Sequence, residues 1–262
     1  MKKLAVAIVL MVVFAAGAVR AEEKNSYTVS AGATWAGRYV WRGLPLNEDP
    51  TLQPGVEIGA GGLTVGAWAS IDLTDIGKDY GYGDETGNPT EIDFYASYAI
   101  PLGDKVELSG GFANYTFPHT SYYSTTEIFA GLAFDAPASP RITTYIDEDL
   151  AEGANYTSLD LSHSLELWNQ GDWGLNLDFA GHVGYANHKY FETYFGLDDT
   201  PNWSDWSASV ALPFSMPAGF TLTPSYVYSS MVYGDARDVI EEGDLDPDSG
   251  FLLVTLGWDG EF

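Results

Sequence analysis

The sequence predicts an all-β chain: a transmembrane antiparallel up-and-down β-barrel of about twelve strands, preceded by a signal peptide. Three observations lead there. Apolar and polar residues alternate with period two along nearly the whole chain after residue 21. The connections between the alternating runs are short and long in turn. The last run is apolar at every second position and ends on Phe262.

The N-terminal segment comes first. Lys2 and Lys3 give a positive end, Leu4 to Ala16 an apolar stretch, and Ala16-Gly17-Ala18 and Val19-Arg20-Ala21 two small-residue cleavage contexts. The apolar stretch is short for a membrane helix. Cleavage after Ala21 divides the chain into a signal peptide, 1–21, and a barrel domain, 22–262. With no cysteine in 262 residues, a disulfide scaffold, a thiolate metal site and a cysteine nucleophile are excluded.

The alternation is clearest in one hairpin. Leu159, Leu161, Leu165 and Leu167 share a face, and Ser158, Asp160, Ser162, Ser164 and Glu166 share the other. After the polar turn Asn169 to Asp172, Leu175, Leu177, Phe179, Val183 and Tyr185 oppose Asn176, Asp178, Ala180 and His182. The same pattern gives strands near 27–40, 53–60, 63–72, 90–100, 106–117, 125–135, 141–149, 156–168, 174–186, 204–214, 220–233 and 250–262. Nothing reads as a helix.

Gly61-Gly62, Pro101 to Lys105, Ala136 to Pro140, Asn169 to Trp173 and Ser215 to Gly219 are short turns. Trp41 to Leu52, Thr74 to Pro89, Asn187 to Trp203 and Gly234 to Ser249 are long loops. Short turns at one end and long loops at the other are the outer-membrane barrel pattern. An even strand count then puts both termini on the periplasmic side. A β-sandwich also alternates, but its strands run to about five or six residues, shorter than these. Seventeen Tyr and eight Trp supply material for interfacial girdles. Trp35, Tyr39, Trp41, Tyr115, Tyr185, Tyr226, Tyr228 and Tyr233 fall near strand ends and are assigned there.

Charge narrows the function. Eleven Lys and Arg face 37 Asp and Glu, for a net charge of −26, and losing the signal removes Lys2, Lys3 and Arg20. A nucleic-acid partner would be repelled. The polar faces place Glu57, Asp72, Glu91, Asp93, Glu107, Glu127, Asp160, Glu166 and Asp178 as lumen-lining acids. In a water-filled pore they favour cations; in a filled barrel they pair with Arg or Lys. Arg38 and Arg42 are basic candidates at the lumen or rim. Arg42 reads first as a latch to carboxylates such as Glu91 or Asp93, and second as a solute-orienting group. Asp244, Asp246 and Asp248 stand at alternate positions before Gly250, like the front half of a calcium loop, although position 255 is Thr where such a loop ends in Glu. They make a weak candidate Ca2+ site in an extracellular loop; a solvated acidic loop is the alternative. No other cofactor is implied.

The segment Tyr39-Val40-Trp41-Arg42-Gly43-Leu44 is followed by Pro54-Gly55-Val56-Glu57, by Gly62 to Ser70 with its Gly66-Ala67-Trp68-Ala69-Ser70, and by Glu91-Ile92-Asp93-Phe94-Tyr95. Over 39–98 this resembles the TorF family of bacterial outer-membrane porin-like proteins. The resemblance implies a barrel with a channel role and no established substrate.

The expectation is therefore an outer-membrane porin for passive diffusion of small cationic or neutral solutes in a Gram-negative-type bacterium. Its surroundings would be outer-membrane lipid and the insertion machinery. The alternative is a non-conducting structural or surface-recognition barrel. A hydrolase is disfavoured: His119-Thr120-Ser121 is an isolated His–x–Ser, and no Ser–His–Asp arrangement is legible. The chain is read as a non-enzyme.

Overall fold

Alternating side chains suit a strand with one wet and one dry face, and such strands satisfy their backbone groups only by pairing on both edges. The structure, a computed structural model, describes residues 26–79, 81, 83–198 and 201–262. The signal peptide assigned to 1–21 lies outside the described residues. In chain order the elements begin β1 (Thr28–Ala36), β2 (Tyr39–Trp41), β3 (Leu44–Asn47), β4 (Thr51–Ala60), β5 (Leu63–Asp72), β6 (Pro89–Pro101), β7 (Val106–Thr116) and β8 (Thr125–Phe134). They continue β9 (Arg141–Asp147), β10 (Asn155–Gln170), β11 (Trp173–Ala186), α1 (His188–Phe195), β12 (Asn202–Ala211), β13 (Phe214–Ser215), β14 (Phe220–Met231), α2 (Gly234–Glu242) and β15 (Asp248–Glu261).

Each wall strand pairs antiparallel with its neighbours, and β1 pairs with both β4 and β15, which closes the barrel. β12 and β13 are two pieces of one stave. They pair with β11 and β14 on either side of Leu212-Pro213, where proline interrupts the ladder. The wall thus has twelve strands. The seam is finished by the last residue. Phe262 and Tyr27 exchange backbone hydrogen bonds of 2.9 and 3.0 Å, and their rings stack at 5.3 Å.

The faces sort as the alternation requires. In β15, Leu252 and Leu256 point outward, 56% and 50% exposed, while Ser249 points inward at 2%. Leu159, Leu161, Leu165, Leu167, Phe94, Phe112 and Phe179 add to the same apolar exterior. A ten-residue strand tilted by ~40° covers about 25 Å, the height of a lipid-facing band. An apolar exterior around a polar interior is stable only against lipid. Among the described residues no helix is long and apolar enough to cross a membrane.

Turns of two to six residues (61–62, 102–105, 135–140, 171–172) lie at the end where both termini emerge. Gly61 and Gly62, at φ 55° and 88°, make the two-residue turn between β4 and β5 that matches strand twist. The long connections 37–50, 73–88, 117–124, 148–154, 187–201 and 232–247 lie at the other end.

Two expectations are corrected. The expectation of no helix fails at α1 and α2. Asn187 caps α1 by accepting a 3.0 Å hydrogen bond from the Tyr190 amide, and Gly196 ends it in the left-handed conformation. The first strand does not run to residue 40: it stops at Ala36, and β2 and β3 form a separate hairpin.

Candidate functional site

The β2–β3 hairpin turns at Arg42-Gly43, both in the left-handed region at φ 49° and 78°. Such a turn suits glycine and strains arginine by about 1–2 kcal/mol, so tertiary contacts hold the arginine there. The hairpin folds into the lumen and crosses it. A Cβ added to Gly43 would lie 2.6 Å from the Asp205 Cβ of β12 and 3.2 Å from the Met231 Cε of β14. Arg42 reaches the opposite wall: its guanidinium donates two 2.7 Å hydrogen bonds to the Glu127 carboxylate of β8. Both side chains are nearly water-free, at 9% and 4% exposure. The cation also lies 4.5, 4.7 and 4.3 Å from the ring centres of Trp41, Tyr145 and Tyr156. At its base the hairpin is tied to the wall, with the Asn47 amide donating to Asp72.

Around this ion pair the walls contribute a polar chain. The Tyr115 hydroxyl donates to Glu127 at 3.0 Å. The Tyr156 hydroxyl donates to Asp205 at 2.8 Å and lies 2.7 Å from His182 Nε2, while His182 Nδ1 lies 2.6 Å from Asp160. Behind the hairpin, α1 and α2 fill the long-loop end. Tyr190, Phe191 and Phe195 of α1 and Ala236 and Ile240 of α2 are buried with Tyr156, Ala186 and Met231 of the wall. Trp41 packs edge-on to Tyr194 at 5.2 Å.

The result is a partition with a cavity on each side. On the short-turn side a space of ≈ 270 Å³ is lined by Arg141, Asp160, Ser162, His182, Ser207 and Ser209, among others. On the long-loop side a space of ≈ 580 Å³ is walled by aromatic rings, with Asp72 and Glu91 among its polar groups. Arg42, Glu127 and Tyr156 line neither cavity.

The remaining sequence candidates are placed as follows. Glu57 accepts a 2.7 Å hydrogen bond from Tyr95. Glu91 and Asp93 face inward on β6, 5% and 9% exposed. Glu107 is 3.9 Å from Arg141. Glu166 accepts from Asn169 at 3.2 Å and Asp178 from Ser164 at 2.5 Å. Arg38 sits at the rim, donating to Ser249 at 2.8 Å and pairing with Glu48 at 3.0 Å.

Arg42 does latch a carboxylate, but the partner is Glu127 rather than Glu91 or Asp93. Asp248 is held by Arg237 of α2 at 2.6 Å, and the Asp246 carboxylate accepts from the Asp248 amide. Among the described residues no group of three or more His, Asp or Glu is arranged to hold a metal. His119 pairs with Glu85 at 3.2 Å.

Four of the assigned girdle aromatics are not girdle residues. Tyr39 and Trp41 belong to the infolded hairpin, Tyr115 faces the lumen, and Tyr233 packs on Phe191 at 4.9 Å. Trp35, Tyr185, Tyr226 and Tyr228 are exposed on the outer face. The alternation could not reveal Tyr145, Tyr156, Tyr190 and Asp205 as partition residues. The one available signal was Asn187 to Gly196, a helix start and stop enclosing aromatics spaced by four.

A family model described as "Bacterial protein of unknown function (Gcw_chp)" matches residues 20–244. The family shown is thus Gcw_chp; the TorF name taken from the 39–98 motifs is not part of that match. No curated protein matches. Solved structures of similar shape include a NanC porin (14% identity, covering 88% of this chain and 97% of that one, TM-score 0.45). Others are a KdgM porin (8%, 88% and 98%, 0.45) and an outer-membrane channel from Pseudomonas putida F1 (10%, 92% and 97%, 0.42). The barrel described above rests on this chain's own closed register.

Proposed function

We infer that this chain, which belongs to the bacterial family of unknown function Gcw_chp, is an outer-membrane channel for small cationic or neutral solutes, closed by an infolded hairpin. One observation carries the reading: the lumen is polar and acidic on the wall, and what obstructs it comes mainly from loop segments. A lumen filled by wall side chains is closed for good. One crossed by β2–β3, α1 and α2 can open when they move. The inward carboxylates far exceed the basic groups that face them, so the field in the pore favours cations. The resemblance of 39–98 to TorF-family proteins points the same way. Transport is passive, with no cofactor. The exported chain would be seated by the insertion machinery with its short turns and termini in the periplasm.

The test is conductance of the purified protein in a planar bilayer, with selectivity from the reversal potential in a KCl gradient. Discrete cation-selective openings are expected. Anion selectivity would overturn the acidic-lumen argument. Silence from both the native protein and a variant with a released hairpin would overturn the channel. A non-conducting recognition barrel is the second reading, favoured by the buried aromatic packing of α1 and α2 at the long-loop end.

A further inference from the structure

We propose that the ≈ 580 Å³ cavity at the long-loop end is a binding site for organic cations, molecules with an ammonium head and an apolar or aromatic body. The inference goes beyond the channel reading, since a cavity can bind whether or not solute continues through the barrel.

The cavity's walls are Tyr39, Trp41, Tyr115, Phe117, Tyr194 and Phe195, with aliphatic groups between them. Ring faces attract a weakly hydrated cation, and their apolar area covers its body. The volume lies within the range that encloses a small organic molecule. Among the described residues no Lys, Arg or His lines it, whereas Glu91 and Asp72 do. Asp72 is engaged by Asn47. The Tyr39 hydroxyl lies beside the Glu91 carboxylate.

One inward position farther along β6 is Asp93, between Trp68 and Tyr115 on the neighbouring strands. Asp93 is 9% exposed, and its Oδ1 has no hydrogen-bond partner. Ser70, opposite Glu91 in the register and 1% exposed, also has an unpartnered Oγ. Buried polar atoms are ordinarily paired, and a buried carboxylate without a cation is costly. A cluster short of positive charge, beneath a cavity with aromatic walls, is complementary to an incoming ammonium group. A compact divalent ion fits less well: the described residues offer it no group of three ligands, and the ring faces would contribute little to a strongly hydrated ion.

The experiment is isothermal titration calorimetry of the purified barrel in a non-ionic detergent, at constant ionic strength. Benzyltrimethylammonium is compared with benzenesulfonate and with potassium ion. Saturable one-site binding of benzyltrimethylammonium alone is expected. Glu91→Gln with Asp93→Asn should weaken it at least tenfold. So should Thr193→Lys, which brings a tethered ammonium to the cavity wall from α1 without touching the barrel. The second variant serves if the first loses its heat-modifiable mobility on a denaturing gel. Absent saturation, equal binding of benzenesulfonate, or full affinity in a folded variant would overturn the site. Conductance on the same preparation separates the two readings. Binding by a barrel that stays silent both as the native protein and with its hairpin released overturns the channel and keeps the site; conductance without binding does the reverse.

Discussion

If the hairpin is the gate, Arg42→Ala should open it. The substitution removes both 2.7 Å hydrogen bonds to Glu127 and the cation stacked on Trp41, Tyr145 and Tyr156. Truncating one member of a buried ion pair costs about 3–5 kcal/mol, largely because the other charge is left stranded. Here the cost falls on docking of the hairpin rather than on the barrel, whose wall pairings do not pass through residue 42. Glu127 regains water when the hairpin leaves, so the stranded charge itself drives opening. At about 1.4 kcal/mol per decade, the closed-to-open ratio should fall by roughly two to three and a half decades. Bilayer recordings should show the open fraction rising by that order, and amide exchange should show lost protection over 39–47. Adding Glu127→Gln should restore part of the closure, because it removes the stranded charge. Unchanged conductance and unchanged exchange in Arg42→Ala would refute the gate.

Gly43→Ala tests the same element by shape. The new Cβ would stand 2.6 Å from the Asp205 Cβ on a backbone at φ 78°, and strain of about 1–2 kcal/mol should raise the open fraction roughly tenfold; combined with Arg42→Ala it should add little, since both act on one hairpin. Asp160→Asn, Glu166→Gln and Asp178→Asn together should lower the cation-to-anion permeability ratio severalfold in reversal-potential measurements, and an unchanged ratio would place the selectivity elsewhere. In the loop 73–88, the Thr86 hydroxyl and then Lys78 hold the exposed Asp84 carboxyl down at about 2, below its ordinary 3.8. That depressed value means its contribution to loop order is complete above 3.8 and disappears as pH falls through about 2; an NMR titration of the Asp84 carboxyl carbon with a midpoint near 3.8 would contradict the contacts.

The wall was legible because lipid and water impose opposite demands on alternate residues, and Leu159 to Leu167 records that demand directly. The contents of the lumen were not, because they obey packing inside a protein rather than a solvent boundary. Tyr39, Trp41 and Tyr115 carry the composition of an interfacial girdle and sit inside. The β2–β3 hairpin is too short for periodicity, and its turn, Arg-Gly, lacks the Asn or Asp that usually marks φ > 0 at both central positions. α1 is only eight residues long. Its helical spacing of Tyr190 with Tyr194 and Phe191 with Phe195 was legible only once Asn187 and Gly196 were read as caps. The latch was visible as a scarce arginine in a motif. Its partner was not, since choosing Glu127 over Glu91 or Asp93 depends on how far the hairpin reaches across the lumen.

That choice of partner bears on the whole design. In a chain with 11 basic and 37 acidic residues, most lumenal carboxylates must go without a cation. Carboxylates at the short-turn end, such as Glu166 and Asp178, meet water and can tolerate this. At the long-loop end the hairpin and helices bury the wall carboxylates, so a carboxylate there needs a partner from the protein or from a solute. Glu127 takes Arg42, Asp205 takes Tyr156 and His182, and Asp147 takes Thr125 and Tyr194. Among the described residues Glu91 has a tyrosine hydroxyl beside it and no cation, and one oxygen of Asp93 has no partner. The hairpin therefore gives one carboxylate across the barrel a cation and leaves Glu91 and Asp93, near its own base, with none among the described residues, beside the larger cavity. On this account gate and binding site are coupled through one segment. Tyr39 at the start of β2 lies beside Glu91, and Arg42 in the turn that follows β2 closes the lumen, so a cation that displaces Tyr39 from Glu91 should also change amide exchange at the turn. Exchange at 41–44 that is indifferent to saturating benzyltrimethylammonium would show the two to be independent.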